Sequence, residues 1–213
     1  MKVIITCGPA YAPIDRVRRI TNFSSGKLGI ALSNAFARAG HEVICLKGEG
    51  STCPLPLDDS VRSASFATNG DLIERFKEMA AEDGVGAILQ VAALCDYEVA
   101  EVTDQAGNLH AESKIPSRAG ELTIRLKPAP KVLPMLRAMF PAAYLIGWKY
   151  ELVGTREDAI AAGMRQLGEA QTNLCVVNGA AFGSGFGVLD VRGSISHFQT
   201  GEELAEALLA RLS

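Results

Sequence analysis

The stretch that decides the fold is KVIITC at residues 2–7 together with LGIALSNAFARAGHEVICL at residues 28–46. The first part is a short apolar run rich in β-branched residues, which predicts a strand buried on both faces. In the second part, apolar residues recur at helical spacing between Leu28 and Ala39, and Gly40 then ends the pattern. A second apolar run, VICL, closes the stretch. Strand, helix and strand in this order predict a βαβ unit with parallel strands.

The same alternation continues along the chain, and it predicts an α/β fold. We expect a three-layer, Rossmann-like architecture in which helices cover both faces of a mostly parallel sheet. The predicted strands are Lys2–Cys7, Glu42–Leu46, Val61–Phe66, Gly86–Ala92, Leu122–Leu126, Tyr144–Trp148 and Leu174–Val177. Besides the first helix, helices are predicted at Asn69–Ala81, Leu133–Phe140, Arg156–Glu169 and Glu202–Leu212.

Capping sequences and turns complete this expectation. Thr155-x-x-Asp158, a weaker variant, and Thr200-x-x-Glu203, a full capping box, predict the starts of the last two helices. Near the end, Gly187–Asp190 and Ser194–Phe198 predict a C-terminal hairpin. We expect residues 1–213 to form a single domain.

Two stretches do not follow the alternation. Residues 94–117 carry turn signals and acids but no helical stripe, which predicts a long lid loop. Residues 179–187 contain four glycines. That second loop could approach a ligand closely or simply turn freely.

Composition excludes several classes of protein. The 213 residues include 21 Lys and Arg against 24 Asp and Glu, a net charge of −3, and 48% are hydrophobic. This balance excludes intrinsic disorder and argues against a nucleic-acid coat or a basic membrane-surface protein. The five cysteines form no Cys-x-x-Cys pair, so no disulfide framework or zinc site is readable. With no secretion signal and no long apolar run, we expect a cytoplasmic protein without nucleic-acid or membrane partners.

The connection from the first strand to the first helix is the most informative segment. From Arg16 to Lys27 it carries four basic residues and no acid. Ligands of parallel sheets bind at the carboxyl ends of the strands, where helix N-termini attract anions. Ser24, Ser25 and Gly26 could therefore cradle a phosphate, although Ser-Ser-Gly is also an ordinary helix start.

Two further segments carry candidate residues. After the fourth predicted strand, Ala92 and Ala93 permit close backbone approach, and Asp96 could accept a hydrogen bond from a base amino group or a ribose hydroxyl. Asp96 could equally be an ordinary loop aspartate. Lys114 could close over a polyphosphate, or it could be a solvated loop lysine.

Several familiar motifs are missing. The first strand is not followed by Gly-x-Gly-x-x-Gly, Thr21 stands where a P-loop needs its first glycine, and no Tyr-x-x-x-Lys pair occurs. A nicotinamide oxidoreductase is therefore disfavoured. The three histidines are scattered, which argues against a histidine triad or a histidine metal centre.

Taken together, the motifs resemble one enzyme family over nearly the whole chain. They are Ile14-Asp15-x-Val17-Arg18, Asn22-Phe23-Ser24-Ser25-Gly26, Ala92-Ala93-x-x-Asp96-Tyr97, Lys114-Ile115, Gly147-Trp148-Lys149 and Asn178. This order resembles the phosphopantothenate–cysteine ligases, also called phosphopantothenoylcysteine synthetases, of the DNA/pantothenate metabolism flavoprotein-like domain family. The pattern looks more like the stand-alone ligases than the bacterial fusions with a flavin decarboxylase, so no flavin is expected.

The resemblance implies a ligase of coenzyme A biosynthesis that works as a homodimer. Such a ligase activates the carboxylate of 4′-phosphopantothenate with a nucleoside triphosphate and Mg²⁺, forming an acyl nucleotide and pyrophosphate. The amine of L-cysteine then attacks the acyl carbon. The sequence leaves CTP and ATP both open and does not assign the ligands of Mg²⁺.

The resemblance also implies a role for each matching residue. Asn22 and Lys114 would be catalytic. The nucleotide would be bound by Gly8, Ser24, Ser25, Gly26, Ala92, Asp96, Trp148 and Lys149, and the substrate by Arg18, Asn22, Ala93 and Asn178.

The chain departs from the family pattern at a few positions. Ala10 and Ala12 stand where many members have a hydroxyl or an acid, and Gly179 stands where an aspartate is usual. These departures leave an alternative open, namely a nucleotide-binding module of the same fold without ligase activity.

Overall fold

The computed structural model of the protein describes residues 1–82, 84–111 and 114–212. Its strands are β1 (Lys2–Cys7), β2 (Tyr11–Pro13), β3 (Arg19–Thr21), β4 (Glu42–Gly48), β5 (Arg62–Phe66), β6 (Val85–Gln90), β7 (Tyr97–Asp104), β8 (Leu122–Pro128), β9 (Tyr144–Tyr150), β10 (Leu174–Asn178), β11 (Phe186–Asp190) and β12 (Ile195–Phe198). Its helices are α1 (Lys27–Arg38), α2 (Asn69–Ala80), α3 (Leu133–Met139), α4 (Arg156–Ala170) and α5 (Gly201–Ala210).

The central sheet of the described residues has eight strands in the order β12-β11-β10-β9-β6-β1-β4-β5. The six strands from β10 to β5 in that order pair in parallel, whereas β11 and β12 add an antiparallel hairpin at one edge. The predicted α/β fold, the mostly parallel sheet and the C-terminal hairpin are confirmed. The chain runs from β1 to β4 and β5 on one side and then returns to β6 on the other, so the strand order reverses between β1 and β6. Ligands of open α/β sheets bind at such a reversal.

Helices cover both faces of this sheet, as predicted. On one face, α1 and α5 pack on alternate residues of the central strands, among them Ile5 and Val176. On the other face, α2 and α3 pack on residues of opposite parity such as Ile4 and Ile88, and α4 packs on Val177. The result is two apolar layers on either side of a buried parallel sheet.

The strand predicted at Leu122–Leu126 exists, but its place in the sheet was wrong. It lies in β8, which pairs antiparallel with β7 in a separate two-stranded sheet, with Val99 opposite Leu126 and Val102 opposite Ile124. We call this pair of strands the arm. A short alternating segment has the same sequence pattern in a central sheet and in a separate hairpin. Only the strand with which it pairs decides to which sheet it belongs.

The expectation of a lid loop over residues 94–117 was wrong in part, because β7 occupies Tyr97–Asp104. A second hairpin, β2 with β3, was not predicted. It lies inside the connection between β1 and α1, where three-residue strands are too short to produce a readable alternation.

Helix starts follow their capping sequences closely. At Thr155 both halves of the capping box form with Asp158, as predicted. At Thr200 the hydroxyl accepts from the Glu203 N–H, but the Glu203 carboxylate accepts from the Gln199 N–H, one residue earlier than a full box requires. Among the described residues, no helix has both the length and the apolar character that crossing a membrane requires.

Candidate functional site

The start of α1 forms one wall of the site. Gly26 is the N-cap of the helix, with φ 82° and no side chain of its own to cap it, and the first turn contains no acid. The backbone N–H groups of this turn are therefore suited to an anion. A Cβ atom on Gly26 would lie 2.4 Å from the Ser51 hydroxyl, so only glycine fits at this crowded turn.

The segment after β4 holds this wall in place. The Ser51 hydroxyl donates to the Ser25 carbonyl at 2.8 Å, and the Cys53 N–H donates to the same oxygen at 3.0 Å. The Ser25 hydroxyl in turn accepts from the Lys27 N–H at 3.3 Å. The Ser24-Ser25-Gly26 turn is thus fixed in shape before any ligand arrives.

The loop that follows β6 forms the opposite wall. The Thr6 hydroxyl accepts from the N–H groups of Val91 at 3.0 Å and Ala92 at 2.9 Å. The Ala93 N–H donates to the Gly8 carbonyl at 3.0 Å, which ties this loop to the end of β1. These bonds cross the point where the strand order reverses, so the two walls form a crevice at the carboxyl edge of the sheet.

Asn69 at the start of α2 fastens the far end of this loop. Its amide nitrogen donates to the carbonyls of Cys95 at 2.8 Å and Pro130 at 3.0 Å, and its oxygen accepts from the Cys95 N–H at 3.1 Å. Burial, followed by the nearby Asp96 carboxylate, raises the pKa of the Cys95 thiol. That thiol therefore stays protonated at neutral pH and is not a nucleophile candidate.

A cavity of about 1540 Å³ lies between the two walls. Single small-molecule sites are usually about 300–1,000 Å³, so this space can hold a nucleotide together with a second ligand. The predicted site residues that line it are Gly8, Asn22, Ser24, Ser25, Gly26, Ala92, Ala93, Asp96, Trp148, Lys149 and Asn178. The fold therefore brings these residues together from the ends of β1, β6, β9 and β10.

Asn22 and Asp96 each already have a partner in this cavity. The Asn22 amide nitrogen donates to the Leu94 carbonyl at 2.8 Å, and a side-chain amide has a second N–H to offer. The Asp96 carboxylate pairs with the Lys131 ammonium, with both side chains exposed. Lys149 pairs with Glu151 at 3.0 Å.

Two predicted site residues, Arg18 and Lys114, do not line the cavity. The Arg18 guanidinium contacts Asp15 at 3.1 Å and the Ile115 carbonyl at 2.8 Å. Lys114 is exposed. The fold therefore places these two outside the group of predicted site residues that it brings together, and their roles remain predictions.

Sequence reasoning missed Gln90, which also lines the cavity. The residue is 5% exposed, and neither its side-chain amide nitrogen nor its side-chain oxygen has a hydrogen-bond partner among the described residues. The indole N–H of Trp148 and the amide oxygen of Asn178 are buried and unpaired in the same way. A glutamine inside the apolar run AILQV was the signal that could have singled out Gln90.

The departures from the family pattern have packing reasons. Ala10 and Ala12 are 0% and 3% exposed and belong to the apolar layer that also contains Cys95. Gly179 has φ 110°, and a Cβ atom there would lie 2.3 Å from the Glu151 carbonyl oxygen. An aspartate at position 179 would therefore clash in this backbone.

Clusters of metal-ligating side chains and reactive cysteine thiols are two further kinds of site to consider among the described residues. No group of three or more His, Cys, Asp and Glu side chains there is arranged to hold a metal ion. Cys7 and Cys45 lie in adjacent strands with their sulfurs 3.5 Å apart and are free thiols. The hydrogen bond to Cys45 and burial both raise the pKa of Cys7, so this thiol is protonated.

Comparison with known proteins gives the family. The model of the DNA/pantothenate metabolism flavoprotein C-terminal domain matches residues 1–208. The chain belongs to this family. The resemblance seen in the sequence motifs is thereby confirmed.

Relatives and solved structures of the family agree with this placement. The coenzyme A biosynthesis bifunctional protein CoaBC of Thermococcus kodakarensis is 27% identical over 185 residues, 86% of this chain and 42% of that protein. The chain spans about two fifths of the length of this relative and of the CoaBC of Methanocaldococcus jannaschii.

Two solved structures share the fold. The DNA/pantothenate metabolism flavoprotein from Streptococcus pneumoniae has a TM-score of 0.84 at 24% identity, covering 100% of this chain and 98% of that chain. A Cab2 mutant in complex with phosphopantothenate-cysteine has a TM-score of 0.76 at 18% identity, covering 99% and 86%. At these identities the likeness shows the fold alone.

Proposed function

We propose that this chain is a phosphopantothenate–cysteine ligase of coenzyme A biosynthesis. One observation carries the proposal: a cavity large enough for two ligands lies between the start of α1, where the N-cap is a glycine, and the Ala92–Asp96 loop. The name of the CoaBC relative and the ligand of the Cab2 complex support it. The family resemblance of the motifs in the same cavity adds the substrates, 4′-phosphopantothenate, L-cysteine and a nucleoside triphosphate.

The reaction would take place in two steps. First, a carboxylate oxygen of 4′-phosphopantothenate attacks the α-phosphorus of the triphosphate, and pyrophosphate leaves. Then the amine of L-cysteine attacks the acyl carbon, and the nucleoside monophosphate leaves with the electron pair of the broken C–O bond. Hydrogen bonds tie the loop after β6 to the end of β1, which would hold the reacting groups in a fixed relation.

The triphosphate would lie at the start of α1. The N–H groups of the first turn and the hydroxyls of Ser24 and Ser25 would donate to phosphate oxygens, with Gly8 and Gly26 allowing close backbone approach. Trp148 offers a ring face for a nucleobase. The Ala92 backbone and the Asp96 carboxylate are the groups that would read the base, and CTP and ATP both remain candidates.

Asn22 would donate its second amide N–H to the carboxylate oxygen of phosphopantothenate and then to the acyl nucleotide. Ala93, Arg18 and Asn178, whose amide oxygen is unpaired, would complete the substrate contacts. Lys114 would neutralise charge at the α-phosphate during nucleotidyl transfer, and Lys149 would add positive charge near the nucleotide.

The reaction uses Mg²⁺, and because the described residues form no cluster of three or more metal-ligating side chains, the ion would be held largely by the substrate phosphates. Mg²⁺ is commonly held by one or two carboxylates together with substrate phosphates. Asp96 supplies a carboxylate on the cavity wall opposite the Ser24–Gly26 turn. When bound there, Mg²⁺ would neutralise phosphate charge and polarise the phosphoryl group under attack.

We also propose a homodimer that works in the cytoplasm. The arm supports the dimer, because a two-stranded sheet is only marginally stable by itself and Ile124 and Leu126 on one of its faces are 38% and 42% exposed. The free state of all five cysteines supports a reducing compartment. We further propose that residues 1–213 act as one ligase domain.

The test is a pyrophosphate-release assay with CTP and ATP side by side. We expect release that needs 4′-phosphopantothenate, and a nucleoside monophosphate that appears only when L-cysteine is added. Folded protein that turns over neither triphosphate would contradict the proposal. The position of Arg18 and Lys114 outside the cavity supports the alternative, a nucleotide-binding module without ligase activity. Calorimetry that detects nucleotide binding in a protein that releases no pyrophosphate would favour that alternative.

Lys114 allows a sharper test of the first step. We expect Lys114→Ala to abolish pyrophosphate release, because the developing charge at the α-phosphate would lose its cation. Lys114→Arg keeps the charge and should retain part of the rate. Lys77→Ala is the matched control, since it removes an exposed lysine that is paired with Glu74 on α2 and does not line the cavity. A normal rate in Lys114→Ala would remove Lys114 from the mechanism without touching the family assignment.

A further inference from the structure

Asp15 joins the two predicted site residues that lie outside the cavity. It sits in the turn between β2 and β3, and its side chain is fully buried. One carboxylate oxygen, Oδ1, accepts from the N–H groups of Val17 and Arg18, both at 2.8 Å. This oxygen accounts for the shape of the turn.

The other carboxylate oxygen of Asp15 reaches across 100 residues of chain. Oδ2 accepts from the Ile115 N–H at 3.1 Å and faces the Arg18 Nη1 at 3.1 Å. The Arg18 Nη2 donates to the Ile115 carbonyl at 2.8 Å. Both backbone polar groups of Ile115 are therefore held by one ion pair, and the Ile115 side chain is 1% exposed.

Charge makes this contact stronger than an ordinary loop contact. A carboxylate accepts at the Ile115 N–H and a guanidinium donates at its carbonyl, so each hydrogen bond has an ionised partner. Hydrogen bonds from the Val17 and Arg18 N–H groups fix the orientation of the Asp15 carboxylate, and the ion pair with Asp15 fixes the orientation of the Arg18 guanidinium. The residue immediately before the clamped peptide is Lys114.

We infer that Asp15 and Arg18 form a clamp on Ile115 that fixes the position of Lys114, and that Asp15 is a positioning residue for the reaction. The catalytic half of this inference rests on the proposed function. The clamp couples Arg18 to Lys114. A ligand bound by Arg18 would therefore affect the position of Lys114, and the position of Lys114 would affect that ligand.

Asp15→Asn separates the two halves of the clamp. An asparagine keeps one oxygen that can accept from the Val17 and Arg18 N–H groups. Its amide nitrogen is a donor, however, and it would face the Ile115 N–H and the Arg18 guanidinium, which are also donors, so neither bond can form. The turn should survive while the long-range contact breaks. Asp190→Asn is the matched control, because Asp190 accepts from two N–H groups of the turn between β11 and β12, those of Arg192 at 2.9 Å and Ser194 at 3.0 Å.

The first readout does not depend on activity. Trypsin cleaves after Lys114, at the clamped peptide, and hydrogen exchange reports on the Ile115 N–H. In Asp15→Asn we expect both rates to rise on the order of tenfold, the effect of losing a charge-assisted hydrogen bond, and in Asp190→Asn to stay as in the wild type. Cleavage after the exposed Lys27 serves as an internal reference. Unchanged rates at Lys114 and Ile115 would overturn the clamp.

The second readout separates positioning from a merely structural role. For pyrophosphate release by Asp15→Asn we expect kcat to fall on the order of tenfold with little change in the KM for the triphosphate, and Asp15→Glu to recover part of the loss. A clamp that opens without any change in kcat would overturn the positioning role of Asp15. If the wild type releases no pyrophosphate at all, the proposed function fails while the proteolysis and exchange results still decide the clamp.

A third variant covers the case in which Asp15→Asn does not fold. Arg18→Lys keeps the positive charge beside Asp15 but cannot bond Asp15 and the Ile115 carbonyl with two nitrogens at once. The same rise in cleavage after Lys114 is expected from it. Wild-type cleavage in a folded Arg18→Lys protein would count against the clamp.

Discussion

At the scale of single residues, Gly29 decides how closely α1 approaches β1. A Cβ atom at this position would lie 2.4 Å from the Cys7 Cβ and 2.8 Å from the Thr6 carbonyl oxygen. Glycine in the middle of a helix normally lowers stability, so replacing it by alanine usually helps. At position 29 alanine should instead be less stable than glycine, because the added methyl group would clash with the Thr6 carbonyl oxygen of the β1 backbone.

We therefore predict that Gly29→Ala lowers the free energy of unfolding by about 1–3 kcal/mol, the usual effect of overpacking. Gly168→Ala is the matched control, since Gly168 lies in α4 with no atom near its Cβ position, and it should raise stability by about 0.5–1 kcal/mol. Urea denaturation of the three proteins measures both effects. Equal shifts in the two variants would show that α1 does not need this close approach.

Asn22 gives a second prediction at this scale. Asn22→Ala should lower the rate of the cysteine-dependent step about 10²–10³-fold, as expected when one donor to a developing oxyanion is lost. Asn22 also donates to the Leu94 carbonyl, so a structural loss must be separated from a catalytic one. Thr21→Val provides the control: it removes a neighbouring bond of the same kind, from the Thr21 hydroxyl to the Ala10 carbonyl at 2.8 Å. Comparable rate losses in the two variants would contradict the role of Asn22.

At the scale of elements, the arm has two chemically different faces. Arg125 pairs with Glu101 at 2.7 Å and Lys127 with Glu98 at 3.0 Å on one face. The other face carries Ile124 and Leu126, both partly exposed. Exposed apolar rows on a short sheet are typical of an interface.

We predict that Leu126→Asp weakens the proposed homodimer, because a carboxylate placed in an apolar interface would lose its hydration without gaining a partner. Thr123→Asp, on the charged face of the same strand, should leave the dimer intact. Light scattering after size-exclusion chromatography gives the mass of each variant. A monomeric wild type, or a Leu126→Asp protein that remains a dimer, would contradict this use of the arm.

At the scale of the whole molecule, several carboxylates favour the folded state only when they are ionised. Hydrogen bonds hold the pKa of three aspartates below the ordinary value of 3.8: from the Ser60 side chain at Asp58, from the Asn108 side chain at Asp104 and from the Thr155 backbone at Asp158. A pKa that is lower in the folded state gives stability that is present above the unfolded pKa and is lost as the pH falls through the folded pKa.

We therefore predict that the free energy of unfolding decreases as the pH falls below about 4. Asp58→Asn should make this decrease shallower, because one of the groups that take up protons on unfolding is gone. Asp59→Asn, at the exposed neighbouring position, is the control. Urea midpoints measured between about pH 3 and pH 7 decide the matter, and a stability that rises on acidification would contradict the prediction.

Much of the fold and of the candidate site could be predicted from the sequence. The apolar runs of β1 and β4 and the stripe of α1 determine a βαβ unit, since periodicity reports which side of an element is buried. The carboxyl ends of parallel strands meet at one edge, so Ser24–Gly26, Ala92–Asp96, Trp148 and Asn178 had to lie near one another. For these residues, local pattern and chain order were enough.

The tertiary structure decided what depends on pairing between distant segments. β8 reads as a strand, but its pairing with β7 removed it from the central sheet. The contact of Arg18 and Asp15 with Ile115 placed both Arg18 and Lys114 outside the cavity. Gln90 looked like one more strand residue until its two unpaired polar atoms were found on the cavity wall. Periodicity records only how a segment is buried, whereas these contacts join residues that the chain places far apart.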